Sequence, residues 1–263
     1  MVLTIAGFDP SSGAGVTADI KTIAAHGCYG VAAITAMTVQ STAGVRQVSP
    51  VDAGLLVATL EELTADVTVS AVHIGMLGSG EIAERLARFL ERTSFPNVVL
   101  DPILKSSSGA TMLDKAGVAI LKERLVPLAT VVTPNVDEAK ALTGIQIAGE
   151  DDMKLAAQLL QVMGAQAVVI TGGHLKEAVD LLSVKGHSAQ AFRSELLPST
   201  NTHGTGCAFS TAIACQLAMG RDLSTAVLLA KSYVTAAIAN AYSIGKGVGP
   251  VNHMHGMKKP PGE

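Results

Sequence analysis

Hydrophobic positions along the chain follow two alternating patterns. Short apolar runs rich in β-branched residues predict strands, and the longer segments between them, with apolar residues three or four positions apart, predict helices. The predicted strands are 3–7, 31–39, 71–75, 97–101, 130–133 and 167–171, with a hairpin of 178–184 and 188–193 that turns at Lys185-Gly186. The predicted helices are 17–26, 53–65, 79–92, 114–125, 136–142, 152–163, 206–219 and 223–243.

This alternation of strands and helices predicts an α/β fold. A mainly parallel central sheet, covered by helices on both faces and connected by right-handed crossovers, satisfies the pattern. In such sheets ligands bind beyond the carboxyl ends of the strands. We therefore look for chemistry in the segments that directly follow each predicted strand.

Composition and charge narrow the class of protein. The chain has 263 residues, 48% of them hydrophobic, without an internal repeat or a low-complexity linker. This predicts one domain over residues 1–255 with a flexible tail at 256–263; two smaller domains are the weaker alternative. The net charge of −3, with no basic stripe, argues against nucleic acid or a membrane surface as a partner. With no apolar run long enough for a membrane span, no signal peptide and three cysteines without CxxC spacing, the sequence predicts a cytoplasmic protein.

A glycine-rich loop follows the first predicted strand. Residues 13–18 have the GxGxxA spacing that is typical of dinucleotide-binding loops. Residues 9–12 separate these glycines from the strand, however, and no acidic residue occurs between Asp19 and Asp52 to bind a ribose. The sequence therefore disfavours NAD binding. The loop either lets backbone approach a small ligand closely or is an ordinary glycine-rich turn.

Polar side chains occur where other strands end. The amide of Gln40 can donate and accept at once, which suits the edge of a heterocycle, although a solvated loop glutamine looks the same in sequence. Asp101 is placed either to bind Mg²⁺ beside phosphates or to cap a turn before Pro102. Asn135 and Glu138 lie at i and i+3 in a first helical turn, where Glu138 can serve a metal or the helix dipole.

The segment THGTGCAFS lies in the least charged part of the chain. Residues 196–220 contain no Asp, Glu, Lys or Arg, so the helix that starts near Gly206 is predicted to be buried all round. Gly204 and Gly206 would leave oriented N–H groups open to an anion. At this helix end we expect Cys207 to have a lowered pKa and to act as a base or nucleophile; packing as a small apolar residue, like Cys215, is the alternative. With a carboxylate for Mg²⁺, these parts are compatible with phosphoryl transfer.

Several stretches of the chain resemble the hydroxymethylpyrimidine/phosphomethylpyrimidine kinases of thiamine biosynthesis. The stretches are TIAGFDPSSGAGVTADIKT, ITAMTVQSTAGV, IGMLGS, VVLDPIL, TPNVDEAKAL, TGGH, NTHGTGCAFS and GKGVGPVNH. The resemblance implies a three-layer ribokinase-like fold and an ATP-dependent, Mg²⁺-dependent kinase. Its substrates would be the aminopyrimidine alcohol and its monophosphate, and the protein would form a homodimer.

The same resemblance assigns residues to roles. Around the pyrimidine it implies Gln40, Gly7, Ala14, Asp19 and Met76. For the anion hole and the catalytic base it implies Gly204, Thr205, Gly206 and Cys207. For the Mg²⁺ and phosphate region it implies Asp101 and Glu138, and for the nucleotide site Asn135, Thr171, Gly173 and Lys231. Lys231 also has a simpler interpretation, as a surface lysine that snorkels out of an apolar helix.

Three positions depart from the family pattern. Thr171 and Ser107 stand where the family often has lysine, which removes positive charge from the expected phosphate region, and Phe8 replaces a commonly small residue. Two other functions fit much of the pattern: a pyridoxal kinase, whose substrate also bears a hydroxymethyl group, and a noncatalytic pyrimidine-binding module.

Overall fold

A nine-stranded sheet runs through the protein in the order β3-β2-β1-β4-β5-β6-β7-β8-β9. The computed structural model describes residues 1–173 and 178–257. The strands are β1 Val2–Phe8, β2 Gly30–Ser41, β3 Gly44–Pro50, β4 Ala71–Ile74, β5 Val98–Leu100, β6 Val131–Val132, β7 Ala167–Gly172, β8 Ala178–Val184 and β9 Gln190–Ser194. The predicted tail at 256–263 lies outside the described residues apart from its first two positions.

Helices connect most of these strands. They are α1 Gly15–Ala25, α2 Ala53–Asp66, α3 Gly80–Arg92, α4 Lys115–Ile120, α5 Val126–Leu128, α6 Val136–Thr143, α7 Glu150–Val162, α8 Thr205–Ala218 and α9 Leu223–Ala239. Strands β2, β1, β4, β5, β6 and β7 are parallel, and β3, β8 and β9 join antiparallel at the two edges. The predicted mainly parallel sheet and its terminal hairpin are confirmed.

Alternating side chains of the sheet feed two separate hydrophobic cores. Leu3 and Ile5 of β1 pack on one face, with the buried sides of α2, α3, α6 and α7. Val2 of the same strand packs on the other face, with α1, α8 and α9. This is the period-two alternation of a strand that is buried on both sides. The result is the expected three-layer fold.

Two parts of the chain differ from the sequence-based prediction. Strand β3 was not predicted, because its residues GVRQVSP lack an apolar run and are mostly solvent-accessible; it forms because β2 offers it an unpaired edge. The predicted single helix 114–125 is divided: α4 gives way to a π-helical turn at Leu121–Leu125, followed by α5. Pro127 in α5 has no N–H to donate, which favours such a break.

Helix α8, which follows Gly204, is buried over most of its length. Every residue from Cys207 to Leu217 is buried, which confirms the prediction from its lack of charge. Within the described ranges, no helix combines the length and the apolar character needed to cross a bilayer.

Candidate active site

The two glycine segments singled out in the sequence lie against each other. Gly204 begins α8 with a φ of +85°, a conformation that favours glycine. A Cβ at Gly204 would lie 1.8 Å from the carbonyl oxygen of Gly13, in the loop after β1. The sequence therefore needs glycine at position 204 both for the backbone turn and for this close approach.

Open backbone donors lie at the start of α8. The N–H groups of Gly206 and Cys207 have no acceptor among the described residues, and Gly206 is exposed. The N–H of Thr205, in contrast, donates to the carbonyl of Thr202 at 3.2 Å. Unpaired donors at a helix N-terminus favour an anion. Of the predicted anion hole at 204–206, the free amides thus belong to Gly206 and to the next residue, not to Thr205.

Asp101 faces this helix start from the carboxyl end of β5. Its Oδ2 lies 3.9 Å from the position that a Cβ at Gly206 would take. The same oxygen accepts a hydrogen bond from Ser210 Oγ at 3.1 Å, one turn into α8. Burial raises the pKa of Asp101 to about 6, against the lowering effects of the nearby His73 charge and the Ser210 hydroxyl.

Glu138 is a buried carboxylate that also caps a helix. Its Oε2 accepts from the Asn135 N–H at 2.9 Å, and Asn135 Oδ1 accepts from the Glu138 N–H at 2.9 Å, forming a capping box at the start of α6. The helix-terminus role that the sequence left open is therefore present. Burial, and then the charge of Asp101, raise the pKa of Glu138 to about 8.

The chemistry of these two carboxylates fits a divalent cation shared with phosphates. Among the described residues there is no group of three or more His, Cys, Asp or Glu side chains that could hold a metal by themselves. Magnesium sites in phosphotransfer enzymes commonly use only one or two carboxylates, with substrate phosphates and water completing the shell. Both acids are buried, and their raised pKa values reflect the cost of ionising neighbouring carboxyl groups, which a bound cation lowers.

The thiol of Cys207 has a higher pKa than the sequence suggested. Burial raises it well above its ordinary value, and the charges of Asp101 and Asp19 raise it further. The expectation of a lowered pKa at the helix N-terminus is wrong, because burial and neighbouring carboxylates outweigh the helix end. The Cys207 thiol is therefore protonated at neutral pH.

Asp19 lies beneath the candidate site and has no exposed surface. Its two oxygens accept from Thr4 Oγ1 at 2.6 Å and from Thr211 Oγ1 at 2.8 Å, and His73 Nδ1 lies 3.3 Å away. The expected contact between Asp19 and a pyrimidine is corrected accordingly. Asp19 instead joins α1 to α8 and supports the helix that carries Cys207.

Three of the residues expected around a pyrimidine meet at the end of β1. A Cβ at Gly7 would lie 3.0 Å from Met76 Sδ, so the sulfur packs directly against that glycine. Ala14 is close by, but its N–H already donates to Asp9 Oδ2 at 3.0 Å. The structure thus brings Gly7, Met76 and Ala14 together, with Ala14 contributing no free amide.

Gln40 is linked to the glycine loop through His203 and Asp9, two residues for which the sequence predicted no role. Its Nε2 lies 3.3 Å from His203 Nε2, and the same ring nitrogen lies 2.7 Å from Asp9 Oδ2. Both residues had a sequence signal: Asp9 precedes the glycines of the first loop, and His203 precedes the glycines of α8. Neither has a motif spacing that predicts their pairing across 194 positions.

The residues expected at the nucleotide site lie at the ends of β6 and β7. Asn135 and Thr171 form an isolated parallel bridge, and Gly173 is exposed just beyond it. Lys231 does not snorkel to the surface: it is 8% exposed, and its Nζ donates to Asp180 Oδ2 at 2.8 Å. Because Asp180 is the partner of Thr171 in the β7–β8 pair, the ion pair lies beside the same strand end.

Comparisons with known proteins point to one family of kinases. The sequence profile described as phosphomethylpyrimidine kinase matches residues 9–252. The hydroxymethylpyrimidine/phosphomethylpyrimidine kinase of Haemophilus influenzae is 42% identical, over 96% of this chain and 96% of its own. The thiamine biosynthesis bifunctional protein of Geobacter sulfurreducens is 44% identical over 96% of this chain, which spans 52% of that longer protein. An ADP complex of Bacillus subtilis pyridoxal kinase superposes with a TM-score of 0.88, at 38% identity, and the match covers 96% of both chains.

Proposed function

The chain belongs to the phosphomethylpyrimidine kinase family, and from this premise we propose that it phosphorylates the hydroxymethyl group of an aminopyrimidine and then the resulting monophosphate. The phosphoryl donor of such a kinase is ATP. The observation that carries the assignment is the pair of open amides at Gly206 and Cys207 facing the carboxylate of Asp101. An anion site beside a carboxylate is what transfer of a phosphoryl group between two bound substrates requires.

In this proposal the amides of Gly206 and Cys207 stabilise the transferring phosphoryl group. Their N–H groups are oriented by α8, and α8 is itself fixed by the hydrogen bonds of Ser210 and Thr211 to buried carboxylates. Donors fixed in this way need no reorganisation as charge develops, which is why such donors contribute strongly to rate. Thr205 serves the turn that sets their direction, through its bond to Thr202.

Cys207 carries one of those amides, and we assign its side chain to the acceptor hydroxyl. Since the free thiol is protonated, action as a thiolate base requires its pKa to fall when the substrates bind. Phosphoryl transfer depends mainly on positioning and electrostatics, so a base that accepts the proton late is sufficient. The predicted role as catalytic base thus remains part of the proposal, with this condition.

Asp101, with Glu138 behind it, would hold the Mg²⁺ that accompanies ATP. The ion supplies positive charge that offsets the charge of the phosphates. The Asp101 carboxylate supplies negative charge that attracts the ion, a bound cation would favour ionisation of Glu138 as well, and Ser210 fixes the direction of the Asp101 carboxylate. Glu138 also keeps α6 in place through its capping box with Asn135.

Gln40, Gly7 and Met76 would form the pyrimidine pocket. Gly7 leaves room at the end of β1, the Met76 thioether offers an adaptable apolar surface, and the Gln40 amide can both donate and accept. Asn135, Thr171, Gly173 and Lys231 would line the nucleotide site at the ends of β6 and β7. In that site the Lys231 ammonium would act from its ion pair with Asp180.

Pyridoxal phosphorylation is the second candidate function. It is favoured by the TM-score of 0.88 with a pyridoxal kinase over 96% of this chain. We place it second because the family profile and the relative at 42% identity are both described by the pyrimidine reaction.

We also propose that residues 1–255 form a single kinase domain that pairs as a homodimer. One continuous sheet, which reaches from Val2 to Ser194, supports the single domain. Strand β2 leaves Ile34, Met37 and Val39 exposed, between 36% and 55% each, and such an apolar strip supports pairing with a second copy.

The assay that tests the proposed function compares acceptors. ADP release is measured with ATP and Mg²⁺ against hydroxymethylpyrimidine, its monophosphate and pyridoxal at matched concentrations. We expect the two pyrimidines to give the highest kcat/KM values. A higher kcat/KM for pyridoxal would replace the first candidate by the second, and turnover with none of them would favour a noncatalytic binding module.

A further inference from the structure

The amide of Gln40 lies between two neighbours whose protons determine its direction. As placed, its nitrogen faces His203 Nε2 at 3.3 Å and its oxygen faces Thr38 Oγ1 at 3.2 Å. The two ends of an amide have nearly the same size, so the partners' protons decide which end is the nitrogen. The orientation of the amide therefore follows from whether His203 and Thr38 already donate their protons to other acceptors.

His203 uses its Nε2 proton on Asp9. The Nε2 to Oδ2 distance is 2.7 Å, and a carboxylate can only accept, so this ring nitrogen carries the hydrogen. Burial opposes the charge of Asp9, but hydrogen bonds from His203 and Ser11 hold its pKa below the ordinary value. An N–H on His203 facing the NH₂ of Gln40 would oppose two donors. The end of the amide that faces His203 is then the oxygen, which shares this N–H with Asp9 as the longer branch, at 3.3 Å, of a three-centre hydrogen bond.

Thr38, at the other end of the Gln40 amide, indicates the same orientation. Its hydroxyl lies 3.0 Å from the carbonyl oxygen of Phe8, which can only accept, and a hydroxyl has one proton to donate. With that proton used, Thr38 Oγ1 can only accept from Gln40. The end of the amide that faces Thr38 must then be the NH₂ group. Two independent partners thus assign the same orientation.

We propose that Asp9 and His203 fix the Gln40 amide with its oxygen toward His203 and its NH₂ toward Thr38, and thereby determine which edge of the pyrimidine the pocket accepts. This inference rests on the proposed function, in which Gln40 contacts the ring. An aminopyrimidine presents an amino donor next to a ring-nitrogen acceptor, and an amide pairs with both only when its own donor and acceptor are in the matching order. His203 is therefore a positioning residue that sets specificity through Gln40.

The surroundings of His203 hold it in this role. A Cβ at Gly13 would lie 2.2 Å from His203 Cδ2, so the ring packs directly on the glycine loop. Its backbone is fixed as well: the N–H donates to Gly249 O at 3.1 Å, and the carbonyl accepts from Val251 N at 3.1 Å. Asp9 is bound in turn by Ser11 and by the Ala14 N–H. The proton that orients Gln40 thus comes from a fixed side chain.

A pair of variants separates the donor from the bulk of the side chain. His203→Gln keeps an N–H donor at the reach of Nε2, whereas His203→Met has a similar length and no donor. We expect His203→Met to raise the KM for hydroxymethylpyrimidine roughly 10-fold, the factor for one displaced hydrogen bond, with a much smaller change in kcat. We expect His203→Gln to restore most of the KM. The preference for hydroxymethylpyrimidine over pyridoxal should fall in the Met variant alone.

Gln40→Met is measured beside them, so that a failure of the proposed ring contact can be distinguished from a failure of the orientation inference. An unchanged KM in Gln40→Met would reject Gln40 as the ring contact, and the inference with it. A raised KM in Gln40→Met, together with equal KM values in His203→Met and His203→Gln, would overturn the inference and leave the proposed function standing. Melting temperatures of both His203 variants establish that they are compared as folded proteins.

Neutron diffraction on deuterated crystals tests the orientation without relying on activity. Two deuterons on the end of the Gln40 amide that faces Thr38, and one on His203 Nε2, are the expected result. Two deuterons on the end that faces His203 would overturn the assignment.

Discussion

The Oδ2 atom of Asp101 lies 3.9 Å from the point where a side chain at Gly206 would begin. Apart from the adjacent residues and the backbone of α8 itself, no other heavy atom of the described residues comes within 4 Å of that point. The space between the carboxylate and the start of α8 is therefore large enough for a methyl group, and in the proposed function the transferring phosphoryl group occupies the same space. A small side chain at Gly206 can therefore reduce turnover without disturbing the fold.

Gly206→Ala should fold normally and lose activity. The added methyl group meets no atom closely, and alanine favours the helix by up to ~1 kcal/mol over glycine, but it occupies the space in front of the free amides. We expect kcat to fall about 10²-fold, which is comparable to the loss of an oriented donor. Steady-state kinetics and a thermal melt on the same preparation measure both effects.

Gly204→Ala is the matched control, because there the added carbon would lie 1.8 Å from the Gly13 carbonyl oxygen. We expect this variant to lose stability, with a clearly lower melting temperature, and to lose activity as a consequence. If Gly204→Ala kept its melting temperature, or if Gly206→Ala kept its turnover, the assigned geometry of the helix start would be wrong.

Cys207→Ala should reduce kcat by about 10² or more, the usual contribution of a positioned acid or base, with little change in binding of the pyrimidine. The reason is that Cys207 carries one of the two free amides and that the charge of Asp101 acts on its thiol, raising the thiol pKa after burial. Binding is measured by calorimetry and turnover by ADP release. Cys215→Ala, two turns further along the same buried helix, is the control and should affect stability only. Full turnover in Cys207→Ala would remove this residue from the mechanism.

Parts of the fold could be predicted from the sequence because a single residue pattern determines each of them. The lack of charge from 196 to 220 predicted the burial of α8, and the β-branched runs predicted every strand of the sheet except β3. Strand β3 escaped because its pairing with β2, and not its own composition, makes it a strand. Asp180, the partner of Lys231, was also missed, since a charged residue inside a predicted hairpin strand gives no sign of which side chain it faces.

The candidate site was predicted less completely for a physical reason. Its residue types follow from the motifs, but its charge states depend on distances that sequence does not contain. Burial raises the pKa of Cys207, and the charges of Asp101, Asp19 and Glu138 raise it further, so the shift is opposite to the one that the helix end alone predicts. The link from Asp9 through His203 to Gln40 similarly arises only when three distant segments meet.

Lys231→Met should destabilise the protein by roughly 3–5 kcal/mol, because it leaves the Asp180 carboxylate buried without its partner. The ion pair is 2.8 Å long, and both side chains are about 10% exposed. The double variant Lys231→Met with Asp180→Asn should recover much of that loss, since asparagine can still accept from the Gly172 N–H. Urea unfolding of the three proteins measures this. A double variant no more stable than Lys231→Met would contradict a pairwise explanation.

Glu138 should make stability fall as pH rises. Its pKa is raised from 4.5 to about 8 in the folded chain, chiefly by burial. Below pH 4.5 both folded and unfolded chains are protonated, and between 4.5 and 8 only the folded chain keeps the proton. The stability that this group contributes is therefore present below 4.5 and is lost as pH rises through 8.

Glu138→Gln tests this dependence, because glutamine preserves the capping box and removes the titration. Unfolding free energies from pH 4.5 to 8 should decline less steeply in the variant than in the wild type. Parallel curves for the two proteins would show that Glu138 does not titrate in this range.

We propose that this chain phosphorylates an aminopyrimidine alcohol twice. The most direct test of this activity is ³¹P NMR of a single reaction. Purified protein is mixed with hydroxymethylpyrimidine, ATP and Mg²⁺, and the spectrum is followed over time. We expect a phosphomonoester resonance to appear first and then give way to the paired resonances of a pyrophosphate ester, while ATP is converted to ADP. A spectrum in which ATP persists and no pyrimidine ester forms, from protein that phosphorylates pyridoxal under the same conditions, would contradict the claim.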